Sequence, residues 1–260
     1  MTAPPALRVY EHQALVYRRT FRGSIASSFL NPVLYLAAMG VGLGSYVDRS
    51  GHASTALAGL SYLTFLAPGL LAAMAMQTAA GESTWSVLGA IKWQKTYLAM
   101  LATPIGVRDL VLGHLSWVAT RLLIVTAIFL AVMVAFGATR GPEAILAIPA
   151  AMLTGLAFAA PISAFAATQE NDAGFNAVFR FGVIPLFLFS GTFFPISQLP
   201  AFLQPVAWIT PLWHGVELCR GLALGTIDPL GLAVHAGYLL GVAGLGIAAA
   251  LWAYRRRLAQ

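Results

Sequence analysis

The chain has 260 residues, of which 59% are hydrophobic and only 9% charged, against roughly 25% charged in a typical soluble domain. That balance excludes an ordinary soluble enzyme domain and points to an all-α polytopic membrane protein. The net charge of +6 does not point to nucleic acid, because the basic residues flank apolar runs, where they act as membrane orientation signals. The single cysteine, Cys219, has no partner for an intrachain disulfide or a metal pair.

In chain order, residues 5–22 place Leu7, Tyr10, Ala14, Tyr17 and Phe21 on one helical face and Arg8, Glu11, His12, Arg18, Arg19 and Arg22 on the other. This spacing predicts an amphipathic helix on the cytoplasmic membrane surface, with a helix packed on another subunit as the alternative. The arginines interrupt any apolar core, so the segment is a poor cleavable signal and the first spanning helix is expected to direct its own insertion. Apolar runs follow at about 25–46, 59–80, 110–137, 143–166, 176–194 and 230–254. Each can supply the roughly 20 residues that cross a bilayer core, the fifth at the short end. Six crossings put both termini on one side. Assigned as cytoplasmic, that side receives Arg8, Arg18, Arg19, Arg22, Lys92, Lys95, Arg108, Arg180 and Arg255–Arg257, leaving Arg49, Arg140 and Arg220 outside.

Two connections stand out. The segment from Gly81 to Arg108 is long for a turn and carries Trp85, Leu88, Ile91, Tyr97, Leu98 and Leu101 beside Glu82, Lys92 and Lys95. It reads either as a short helix offered to a groove on a partner or as an interfacial anchor. Residues 186–213 begin as a membrane helix and are then broken by Pro195, Pro200, Pro205 and Pro211. Each proline removes a backbone donor and disfavours helix in the residue before it. Because irregular backbone at membrane depth needs protein or a water-filled cavity to satisfy it, the expectation is a broken, re-entrant outer segment after the fifth span.

Few residues offer chemistry. Lys92 and Lys95 are not preceded by glycine, so the phosphate-cradling loop of an ATPase is absent and ATP-driven work requires another subunit. His12, His52, His114, His214 and His235 fall in no recognised metal spacing, and Glu170 with Asp172 reads as a solvated turn rather than an acid–base pair. Arg121 lies well inside a predicted span, where an isolated arginine costs about 2.5–3.5 kcal/mol. It reads as a contact for an anionic substrate group, as a structural ion pair or as a snorkelling side chain. Gly40 with Gly44 and Gly237 with Gly241 permit close helix approach within the chain or at a dimer seam. An intramembrane transferase centred on Arg121 and His114, or a structural scaffold, are the readings from other functional classes.

The order of the spans, Gly81-Glu82 running into MLATPIGVRDLVLGHL at 100–115, and FSGTFFPISQLP at 189–200 resemble the ABC-2-type permeases. The pattern is most like the permeases of lipo-oligosaccharide (nodulation-factor) exporters and drug-resistance permeases of similar size. WVATR at 117–121 and PLWHGVELCRG at 211–221 strengthen the first comparison, and the resemblance covers nearly all of residues 1–260 as one membrane domain. It implies a permease without catalytic or metal-binding residues or a cofactor of its own, paired with a second copy as a homodimer and with two copies of a separate ABC ATPase that holds ATP and Mg. It implies an interface helix at 5–22, a coupling region at 82–102 contacting the ATPase through Glu82, Trp85, Leu88, Ile91, Lys92 and Tyr97, and an outer re-entrant helical segment at 194–211. Arg121, Phe187, Phe193 and Phe194 are its candidate translocation residues, although the phenylalanines equally suit lipid-facing or core packing. The implied setting is the plasma membrane, with both termini cytoplasmic and lipids as neighbours. The implied cargo is a lipid-linked saccharide or another amphiphile, with a hydrophobic drug or antibiotic as the alternative. GAIKWQ at 89–94 lengthens the coupling region relative to the family.

Overall fold

The computed structural model describes residues 4–49, 57 and 59–258, and all of the regular structure among them is helical. His52 and the Arg22 side chain lie outside the described set. Helix α1 (Pro5–Tyr35) passes through a wider π turn, Leu36–Leu43, into α2 (Gly44–Arg49). Residues 5–22 are therefore not a separate helix. Their buried face carries Val9, with Tyr10 and Tyr17 set edge-on and tilted against Trp117, while Leu7 and Phe21 of the expected apolar stripe remain exposed. Of the expected stripe, Tyr10 and Tyr17 pack against Trp117, on a helix of the same chain.

The chain returns in α3 (Tyr62–Ser83), capped by Ser61, whose hydroxyl accepts from the Thr64 amide at 3.3 Å. Thr84 leaves helical geometry at ψ −88°, with its hydroxyl donating back to the Ala80 carbonyl at 2.9 Å. The helical run nevertheless continues through α4 (Trp85–Leu88) and a π turn to Trp93. Lys95 then adopts φ +56°, the left-handed conformation that turns the chain into α5 (Thr96–Leu101). Next comes α6 (Val107–Ala135), where the Asp109 carboxylate accepts from the Gly106 amide at 2.9 Å and holds the first turn. A 3₁₀ turn at Pro142–Leu146 leads into α7 (Ala147–Thr168).

Helices α8 (Ala173–Val178) and α9 (Ile184–Phe189) are joined by a π turn. Together they form an apolar helix that ends at Phe189, short of the expected 194. The run stops there because Gly191, at φ +79°, turns the backbone. The proline-rich stretch resolves into short pieces, as its sequence requires: a 3₁₀ turn at Ile196–Gln198, α10 (Gln204–Ile209) and α11 (Pro211–Leu224). Pro205 and Pro211 occupy first-turn positions, where no donor is lost. The last element is α12 (Pro229–Leu258).

Among the described residues five helical runs are long and apolar enough to cross a membrane: Ser28–Arg49, Tyr62–Trp93, Val107–Ala135, Pro142–Thr168 and Pro229–Leu258. Helix α7 lies at the centre, touching α3, α6, α11 and α12. Small residues allow these approaches. A Cβ on Gly246 would lie 2.5 Å from Pro161 Cδ, and one on Gly155 would lie 2.6 Å from Leu122. Gly40 lies against Leu63 and Gly44 against Tyr62, so that pair serves packing within the chain, whereas Gly237 and Gly241 face open space.

Candidate functional site

The first turns of α1, the last turns of α12, the 94–106 turn and the 169–172 turn gather at one end of the bundle. Tyr97 of α5 faces Tyr254 of α12 with ring centroids 6.0 Å apart, and Gln13 of α1 lies 3.3 Å from His114 Nδ1 of α6. Both tyrosines and His114 are buried, and burial pushes the Tyr97 phenol up. Glu170 closes the same end. Its carboxylate takes Lys92 Nζ at 2.8 Å and pairs with the Arg257 guanidinium, and the Lys92 ammonium also donates to the Glu170 carbonyl at 2.6 Å. These hydrogen bonds to Arg257 and Lys92 hold the Glu170 carboxyl down at about 2. Glu170 and Asp172 therefore form no acid–base pair: Glu170 clasps the α3–α4 run to the end of α12.

Between α1, the Trp85–Trp93 stretch and α6 lies a cavity of about 640 Å³. A second, of about 250 Å³, sits farther along α3 and is lined by the uncharged polar groups of Ser28, Asn31, Gln77 and Thr78. Glu82 and Arg121 line both cavities. Arg121 Nε donates to Glu82 Oε1 at 2.9 Å, with the arginine side chain 8% exposed and the glutamate 24%, and the guanidinium sits 4.3 Å from the centre of the Tyr17 ring. Of the readings the sequence left open for Arg121, the structure shows the ion pair. The partner was within reach of sequence reasoning: a buried arginine demands an anion, and Glu82 is the only acidic residue between Tyr62 and Trp93.

The residues expected to contact an ATPase separate into two groups. Trp85 and Lys92 are exposed, whereas Leu88, Ile91 and Tyr97 point inward and Glu82 is engaged by Arg121. The physical reason is that 82–93 prolongs α3, so its helical periodicity turns one side into the core. The outward surface of the turn is instead Trp93, Gln94, Lys95, Leu98 and Ala99. Trp93 and Leu98 are 58% and 46% exposed. The candidate translocation residues do not form one group either. Phe187 meets Phe193 edge-on at 5.0 Å and Tyr35 at 6.2 Å. Phe194 instead joins the small core of Ile196, Leu199 and Ala207, and Arg121 lies with Tyr17 and Glu82, apart from all three phenylalanines.

At the opposite end Arg220 ties the broken segment to the bundle. It donates to the Gly191 carbonyl at 2.7 Å and to the Phe65 carbonyl at 3.2 Å, pairs with Glu217 at 2.7 Å, and lies 3.9 Å over the Phe65 ring. His214 stacks on Tyr238 at 3.9 Å and shares a 2.9 Å Nδ1···Nδ1 contact with His235. Burial, reinforced by His235, holds His214 down at about 4.

Comparison with known proteins agrees with this architecture. The profile of the ABC-2 type transporter family matches residues 9–224. Nodulation protein J of Rhizobium leguminosarum bv. trifolii is 32% identical over 219 residues, covering 84% of this chain and 81% of that protein. Nodulation protein J of Rhizobium meliloti (strain 1021) is 31% identical over 235 residues, covering 90% and 85%. The protein of the same name from Rhizobium leguminosarum bv. viciae is 32% identical over 234 residues, covering 90% and 87%. With its helical bundle, multiple apolar spans and a family match over most of its length, the chain belongs to the ABC-2 type transporter family.

Proposed function

We propose that this chain is the permease subunit of an ATP-driven exporter that moves an amphiphilic cargo, such as a lipid-linked saccharide, outward across the plasma membrane. The observation that carries this reading is the match over residues 9–224 to the transporter family together with relatives named Nodulation protein J. A sequence without a phosphate-binding loop fits a permease whose ATPase is a separate subunit. The full assembly in this reading is two permeases with two ATPases.

Helix Ala173–Phe189, at 1.5 Å per residue, is about 26 Å long. It completes a sixth crossing with the few residues that follow. Both termini then lie in the cytoplasm, on the side that holds Arg8, Arg18, Arg19, Lys92, Lys95 and Arg255–Arg257. The segment 194–211 is the outer re-entrant element, with the Leu199 carbonyl accepting from the Gln204 amide and the Ile209 carbonyl from the Tyr238 hydroxyl. The ATPase meets the α5 turn through Lys95, Leu98 and Ala99, with Trp85 and Lys92 at its flank and the first turns of α1 beside it. Leu88, Ile91 and Tyr97 support that surface from behind. ATP binding shifts the permease only to the extent that one arrangement fits the closed ATPase pair better.

Native mass spectrometry of the permease co-expressed with a cognate ABC ATPase tests the assembly. Two permeases with two ATPases are expected, and Leu98→Asp should lower ATPase recruitment while the permease still inserts. A permease that never recruits the ATPase would remove the exporter reading.

A further inference from the structure

The 640 Å³ cavity at the terminal end has a lining with an unusual composition. Three of the chain's six tryptophans, Trp85, Trp93 and Trp117, border it, with Gln13, Ser86 and Gln94 among its uncharged hydrogen-bonding groups. The volume falls within the roughly 300–1,000 Å³ of small-ligand sites.

The three indoles are held differently. Trp117 is buried between Tyr10 and Tyr17, and Trp85 leans on Phe175 and Phe179 at 5.5 and 5.3 Å. Trp93 is 58% exposed, yet its ring lies over Gly89, where a Cβ would come within 3.3 Å of it. It is an aromatic plate at the mouth of the cavity, backed by a residue with no side chain. An indole face offers apolar contact with a negative quadrupole, suited to polarised C–H groups, and the neighbouring amides and hydroxyl offer donors and acceptors.

The charge balance narrows the ligand. Glu82 and Arg121 are the carboxylate and the guanidinium of this wall, and they are bound to each other at 2.9 Å. An aromatic box for a cation keeps an uncompensated carboxylate, and an anion site keeps an uncompensated guanidinium; here each charge is answered. A hydrocarbon tail would leave the polar lining without partners, at a desolvation penalty. A ligand with apolar C–H faces, many hydroxyl or amide groups and no net charge satisfies all three features.

We propose that this cavity binds a neutral saccharide ring of the cargo before translocation, with Trp93 as its stacking platform. The inference rests on the exporter reading for its biological direction, and it adds the site and the chemical part of the cargo that enters it. The smaller cavity beyond the Glu82–Arg121 pair, with Asn31, Gln77 and Thr78 in its wall, provides the next hydrogen-bonding position deeper along α3.

The test uses the full permease in nanodiscs of phosphatidylethanolamine and phosphatidylglycerol, titrated with N-acetylglucosamine tetramer and with maltotetraose, with tetragalacturonate as the anionic control. Calorimetry and tryptophan fluorescence report binding. At least one neutral oligomer should bind saturably and more tightly than the anionic one. Trp93→Ala should weaken it roughly tenfold, and Trp93→Tyr should restore most of the loss. Because Trp93 is exposed, neither variant threatens the fold. Saccharide binding unchanged by Trp93→Ala would overturn the site and leave the saccharide-export reading standing. Trp93→Ala that abolishes ATPase recruitment without touching saccharide binding would show a partner surface and would also overturn the site. Absence of binding by both neutral oligomers, in a permease that still recruits its ATPase, would overturn the site and the saccharide cargo while leaving ATP-driven export intact.

Discussion

Removing the Arg121 guanidinium should harm the chain more than removing both members of its ion pair in proportion. At 2.9 Å and an effective dielectric of about 20, the attraction between Arg121 and Glu82 is about 6 kcal/mol. Desolvation of the two groups offsets most of it, so the intact pair has a small net effect, whereas orphaning one partner costs roughly 3–5 kcal/mol. Glu82 retains 24% exposure, which admits water and places Arg121→Met near the lower end, about 3 kcal/mol. Glu82→Gln leaves the guanidinium against Tyr17, at 8% exposure, and should cost a similar amount. The double variant Glu82→Gln/Arg121→Met removes the orphaned charge and should be less destabilised than the sum by at least about 1.5 kcal/mol. Reversible unfolding of the four proteins in mixed micelles titrated with dodecyl sulfate measures the cycle. Additivity within about 0.5 kcal/mol would show that the two side chains do not interact in the folded permease, and would refute the reasoning from the 2.9 Å contact.

Three further outcomes are expected. Gly246→Ala puts a Cβ 2.5 Å from Pro161 Cδ and 2.8 Å from its nitrogen. Since the proline ring cannot yield, the α7–α12 contact should open at a cost of about 1–3 kcal/mol, read in the same unfolding assay; a neutral result would place the crossing elsewhere. Arg220→Lys keeps the charge but cannot reach Gly191, Phe65 and Glu217 together, because an ammonium lacks the planar fork. Deuterium uptake over residues 190–210 should rise, and wild-type protection in the lysine variant would contradict the clamp. The third concerns pH. The folded value of His214, about 4, lies below its ordinary 6.5, so the unfolded chain binds more protons between them. Its contribution is complete above 6.5 and is lost as pH falls through about 4. The contribution of Glu170, held at about 2 against an ordinary 4.5, is complete above 4.5 and is lost only toward 2. Acidification from pH 7 to 4.5 should therefore loosen α11 in exchange measurements while the Glu170 clasp holds. His214→Phe, which keeps the stack on Tyr238, should flatten that response.

Much of this architecture was legible because hydropathy and backbone chemistry act locally. Five of the apolar runs became long helices, and Pro195, Pro200, Pro205 and Pro211 divided their stretch into the short pieces that missing donors dictate. Boundaries slipped where polar residues did not end a helix. Glu82 and Lys92 lowered the hydropathy after residue 80, yet the helical run reaches Trp93, because the acid found Arg121 and the lysine found Glu170. The same continuation hid the roles of Leu88 and Ile91, and the left-handed turn at Lys95 hid that of Tyr97. An apolar face at helical spacing looks identical whether it awaits a partner or faces the core, and only the tertiary placement of α6 and α12 separates the two. The cavity was less accessible still, since Gln13, Trp93 and Trp117 are distant in sequence and meet only when α1 packs on α6.

The pairing of α7 with α12 has a consequence for how the protein is made. These two helices share the most extensive contact in the bundle, yet the shorter helices α8 to α11 lie between them in sequence. At about 5–20 residues per second, a ribosome delivers the central helix several seconds before the helix that covers it. During that interval the alanine-lined flank around Pro161 must be tolerated by lipid or by the insertion machinery. Closure comes once α12 has emerged, when Tyr254 reaches Tyr97 and Arg257 reaches Glu170. A ribosome that stalls before Gly246 would leave a chain with most of its spans inserted and its centre still open.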